Sequence, residues 1–106
     1  MNIPEKGFYY HYKHDSNKGV SDHAYFVLGV AKDTEDDCEE DFRYEVIYQP
    51  LYDLSEFLGE KIDLCKRPLE MFMDTKEVDG KMIERFQKIN DLETIKKLQD
   101  IRSEID

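Results

Sequence analysis

The chain has no tryptophan, two cysteines, three prolines, five glycines, and 15 basic residues against 25 acidic ones. Each shortage excludes something. Cys38 and Cys65 form no C-x-x-C pair and no disulfide framework, so a reducing, cytoplasmic setting is expected. No apolar run approaches the roughly 20 residues of a membrane-spanning helix, and the opening MNIPEKGFYYH has no apolar signal core. The glycines are scattered and make no phosphate-cradling loop.

Catalytic frames are missing as well. There is no G-x-S-x-G elbow, and neither cysteine stands in a Cys-His frame. Cys38 lies among carboxylates, which raise a thiol pKa. Cys65, beside Lys66 and Arg67, has the better electrostatic setting, but a structural thiol is the expected reading. A metal is not expected. His11 and His14 are three apart, which on a strand sends them to opposite faces. DTEDDCEED imitates the start of a calcium loop, yet Cys38 stands where glycine is needed and Tyr44 where the bidentate glutamate belongs. No enzyme and no cofactor are therefore expected.

The shortage of base leaves a formal charge of -10. Residues 32–41, KDTEDDCEED, supply -6 of it and read as a solvated acidic loop. Such a charge opposes nonspecific nucleic-acid binding and binding to anionic membranes. It still permits one small anion held by a local group of arginines.

What is present suffices for one fold. The 106 residues suit a single domain, and 40% hydrophobic content with thirteen phenylalanine and tyrosine rings can form a core. GFYYHYK (7–13) alternates as a strand, with Phe8, Tyr10 and Tyr12 on one side and Tyr9, His11 and Lys13 on the outward side. HAYFVLGVA (23–31) is nearly continuous in apolar residues, as in a strand buried on both faces, with Gly29 marking a bulge. FRYEVIYQ (42–49) returns as a third strand that Pro50 ends; Phe42, Tyr44, Val46 and Tyr48 make its core side. Residues 51–66 carry a helical spacing and predict a short helical excursion. RPLEMF (67–72) predicts a one-turn helix with proline at its first position and Leu69 and Phe72 facing inward. KEVDGKMIERF (76–86) is a hairpin turning on Asp79-Gly80. Asn90 is placed to cap a helix over 91–105, with Glu93 at the capping-box position. Its Leu92, Ile95, Leu98, Ile101 and Ile105 form a drifting stripe that must pack on the strands or on a second copy.

The expected fold is thus mainly β, about five short strands in residues 1–90 followed by a C-terminal helix over 91–106. The motifs GFYYHYK, YFVLGVA, VIYQPLY, RPLEMF and VDGKMIERF, in that order over roughly residues 7–86, resemble the bacterial family catalogued as domain of unknown function 1653. That resemblance implies a small SH3-like β roll or barrel. It brings no activity with it. The family commonly carries a tryptophan shortly before the Arg-Pro pair, where this chain has Cys65.

Recognition chemistry is left to arginine, tyrosine and their neighbours. Arginine offers a planar five-donor fork and tyrosine a stacking surface. The candidate ligand-binding residues are His11, Arg43, Tyr48, Gln49, Tyr52, Arg67 and Arg85. The expected function is non-enzymatic binding of a small polar or anionic, nucleotide-like ligand, as a sensor or a sequestering agent. The alternative is a protein- or peptide-interaction module whose acidic surface suits a basic protein, with homodimerisation through the C-terminal helix as a further expectation.

Overall fold

A computed structural model describes residues 3–35, 43–52, 59 and 63–105. The expectations for Phe42, Cys38, most of the acidic loop and the middle of the 51–66 segment lie outside the described residues. The chain is mainly β. Five strands, β1 (Gly7–His11), β2 (Ala24–Lys32), β3 (Tyr44–Pro50), β4 (Cys65–Pro68) and β7 (Phe86–Lys88), form one antiparallel sheet in the order β4-β3-β2-β1-β7. A separate hairpin pairs β5 (Thr75–Val78) with β6 (Lys81–Glu84), and the described residues also form a one-turn 3-10 helix (Ser16–Lys18) and two α-helices, α1 (Leu69–Phe72) and α2 (Leu92–Ile105).

The sheet is buried on both faces at β1 and β2, which carry apolar or aromatic residues on either side, whereas β3 turns Glu45, Ile47 and Gln49 to its second face. On one face Tyr9, Tyr25, Val27, Val46 and Tyr48 pack with Phe86 and with Leu69 and Phe72 of α1. On the other, Phe8, Ala24 and Phe26 pack with Leu51, Ile89 and Leu98 of α2. Tyr9 is therefore a core residue and not part of an outward face: α1 and β7 cover the side of β1 that alternation alone assigned to solvent. The β2–β3 register slips between Val27 and Gly29, the bulge expected at Gly29. Pro50 ends β3, and Leu69 and Phe72 of the one-turn helix point inward, with Pro68 at the position before it.

Three local readings shift. Cys65 and Lys66, expected in a helical excursion, belong to edge strand β4, where pairing with β3 overrides the helical spacing. The hairpin expected over 76–86 closes at Glu84; Asp79 and Gly80 take the positive φ of its turn (52° and 79°). The chain then changes sheets at Arg85, so that Phe86 opens β7 beside β1. The last helix is capped one residue later than expected. The Asp91 carboxylate accepts from the Thr94 backbone N–H at 3.0 Å and from its hydroxyl at 2.6 Å.

Helix α2 packs on its own chain. Leu98 is fully buried, and Ile95 and Ile101 lean on the same core. Leu92, turned roughly 120° from Leu98 at 3.6 residues per turn, stays 81% exposed. Arg102 fastens the helix further: its guanidinium lies 3.9 Å from the centre of the Phe26 ring, and its Nε donates to Gln49 Oε1 at 2.9 Å.

Candidate functional site

Antiparallel pairing brings five strand ends together at one end of the sheet: the finish of β1 and β3 and the start of β2, β4 and β7. His11 lies opposite Phe86 in the β1–β7 register, and its backbone N–H bonds the His23 carbonyl at 2.9 Å. Rings follow one another across this end. His11 is 5.2 Å from Phe86 and 5.6 Å from His23, and His23 is 5.3 Å from Tyr52. The Tyr52 and Tyr25 hydroxyls share a hydrogen bond, and Tyr25 meets Tyr48 edge-on at 5.1 Å. Across from Val46 and Tyr48, strand β4 sends Arg67 and Cys65 to the same face.

Arg67 is the centre of charge. Its guanidinium carbon lies 5.4 Å from the centre of the Phe86 ring. Its Nε is buried and has no hydrogen-bond partner among the described residues. Arg85 differs. It forks onto Asp74 at 2.6 and 2.9 Å, and this pair holds the Asp74 carboxyl below the usual carboxylate range. His23 is gripped by Asp22 at 3.0 Å and takes a φ of 50°, a left-handed conformation that histidine adopts more often than most residues.

The neighbours of Arg67 are held uncharged. Burial, with His23, Arg67, Arg85 and Lys13 adding repulsion, lowers the His11 pKa to about 4, so the ring is neutral imidazole at pH 7. Its Nδ1 accepts from the Lys13 backbone N–H at 3.2 Å. Burial raises the Tyr25, Tyr48 and Tyr52 phenols; Arg67 opposes the rise at Tyr48. The Cys65 thiol is likewise pushed up by burial against the pull of Arg67. The result is the Arg67 guanidinium among neutral hydrogen-bonding groups and flat rings, with the Arg85–Asp74 pair and the Asp22 carboxylate close by. Among the described residues, no three His, Cys, Asp or Glu side chains converge as a metal-binding group.

Of the residues singled out in the sequence, His11, Tyr48, Tyr52, Arg67 and Arg85 meet here. Arg43 and Gln49 do not. Arg43 stands at the opposite end of β3, roughly 30 Å of extended chain from Tyr52, and donates to the Asp33 carbonyl at 3.3 Å. Gln49 is 7% exposed on the α2 side, where it accepts from Arg102. The alternation that brings Tyr48 to the site turns its neighbour Gln49 away. His23 and Tyr25 were not singled out, and Cys65 was weighed only as a thiol and read as structural. The one sequence signal for His23 is its place, next to Asp22, at the head of the apolar run that forms β2.

A cleft of about 230 Å³ lies next to this cluster. It shares Tyr9, Phe72 and Phe86 with the ring-lined core, but His11, His23, Tyr52 and Arg67 do not line it.

No curated protein and no solved structure matches the chain. The family model described as "Protein of unknown function (DUF1653)" matches residues 7–88, a span from the first residue of β1 to the last of β7 that holds every member of the cluster. The chain belongs to that family.

Proposed function

We propose that the protein binds, without transforming it, a small polar or anionic molecule of nucleotide-like character. One observation carries the reading: a guanidinium N–H buried against Phe86 with no partner among the described residues. An unmatched buried donor costs about 1–3 kcal/mol, which an anionic group arriving at Arg67 offsets. The half-buried rings of His23 and Tyr52 offer flat surfaces, and neutral His11 offers a hydrogen bond. Binding without turnover is favoured because burial holds the thiol and phenols here un-ionised and unsuited to nucleophilic attack at pH 7. A free Cys65 thiol fits a cytoplasmic sensor or sequestering protein.

The test is thermal melting with a panel of nucleotides, inorganic phosphates and dicarboxylates. A ligand at about 100 times its Kd adds about 2.7 kcal/mol, or roughly 10 °C in a domain of this size. Arg67→Met is expected to abolish the response. Failure of every compound to raise the wild-type midpoint, or an equal response from the variant, overturns the reading.

A further inference from the structure

The 230 Å³ cleft has a chemistry opposite to that of the Arg67 cluster. Its floor is aromatic, from Tyr9, Phe72 and Phe86, and its side walls include Ile3 and Met73, which remain 56% and 45% exposed. The charged groups of the lining are Glu5, Glu84 and Lys88. Lys88 is committed: its Nζ donates to Glu5 Oε2 at 2.7 Å, so these two cancel. The floor is held in place by the Tyr9 hydroxyl, which donates to the Glu5 carbonyl at 2.9 Å, and by the 4.2 Å stack of Phe72 on Phe86. The Glu84 carboxylate bonds to no cation among the described residues, and it sets the net charge of the lining at one negative.

A slot with an aromatic floor, polar side groups and one net negative charge is the complement of a lysine or arginine side chain, whose hydrocarbon stem prefers contact and whose head stays in water. Size decides against larger guests, since sites for drug-sized ligands run to roughly 300–1,000 Å³. The net charge of -10 favours approach of a basic partner at long range. We infer that this cleft docks a single lysine or arginine side chain of a partner protein, with the stem between Ile3, Met73 and the Phe72–Phe86 rings and the head at Glu84.

Capped Gly-Lys-Gly, its norleucine and glutamate counterparts, and n-butylammonium supply the test, titrated to about 10 mM, where a weak single-side-chain contact registers. Binding is read from amide NMR shifts at Met73, Glu84, Phe86 and Lys88. The lysine peptide is expected to bind about two- to fivefold more tightly than the norleucine peptide, the range of a partly exposed ion pair. Glu84→Gln should erase that difference while leaving norleucine binding unchanged. Equal or tighter binding of norleucine to the wild type, or preference for glutamate, overturns the charge assignment. Binding of n-butylammonium without the lysine peptide overturns the protein partner, and no shift from any probe overturns the site. Of these readouts only the Phe86 shift is shared with the Arg67 cluster, so the shifts at Met73, Glu84 and Lys88 separate this site from that one.

Discussion

Replacing Arg67 by methionine tests whether that arginine serves the fold or a ligand. The substitution removes the buried, unmatched Nε–H and so relieves about 1–3 kcal/mol. Against this stand the lost contact with Phe86, worth about 0.5–1 kcal/mol for a partly exposed cation over a ring, and the lost neighbour of the Tyr48 hydroxyl, about 0.5–1.5 kcal/mol. The two sides nearly cancel. The ligand-free variant should therefore lie within about 1 kcal/mol of the wild type, on the more stable side if the unmatched donor outweighs the ring. Arg85→Met is the internal control. Its side chain is 16% exposed and forks onto Asp74, so its removal strands a paired carboxylate and should cost about 1.5–3 kcal/mol. Urea unfolding with a shared m-value ranks the three proteins. A loss of more than about 2 kcal/mol in Arg67→Met, comparable to that of Arg85→Met, would show that Arg67 is a structural residue and remove the basis of the proposed site.

Other perturbations address other links. Because the His11 pKa falls from 6.5 to about 4 on folding, the unfolded chain binds the extra proton first. Its contribution to stability is therefore complete above about pH 6.5 and is lost as pH falls toward 4. With the ring half exposed, solvent screening brings this to about 1–2 kcal/mol; His11→Asn should flatten the wild-type decline measured by urea melts between those pH values. Leu98→Ala empties the fully buried centre of the α2 contact and should cost about 2–5 kcal/mol, seen as a lower midpoint; a cost under about 1 kcal/mol would mean that the helix is not anchored there. Gly80→Ala meets no steric obstacle, yet the turn holds φ at 79°, so it should lose about 1–2 kcal/mol from backbone strain alone.

How much was legible in the sequence depended on how local its cause was. Alternation in GFYYH and YEVIYQP, the glycine bulge in β2, the Asp79-Gly80 turn and the inward Leu69 and Phe72 are set by neighbours in the chain, and they were readable there. What required the fold was the second cover on each face. No local signal says that α1 and β7 will lie over Tyr9, or that α2 will reach back 53 positions to Gln49. Helical spacing at Cys65–Lys66 was outvoted by an edge strand, since backbone pairing along β3 satisfies donors that an isolated short helix leaves open. His23 escaped notice because its importance comes from sitting across from His11 on a neighbouring strand.

The same two-sided burial separates support from chemistry. Residues of one parity on β1, β2 and β3 face α2, whose anchors, Leu98 and the Arg102 contacts to Phe26 and Gln49, never touch the ring-lined side. Residues of the other parity supply the rings around Arg67 and the floor of the cleft. Changes confined to opposite faces share no partner, so their stability effects should add to within about 0.5 kcal/mol. Phe86 belongs to both the Arg67 cluster and the cleft, contacting the guanidinium in one and forming the floor of the other. Truncating Phe86 would therefore disturb both sites at once, whereas Glu84→Gln and Arg67→Met each alter one.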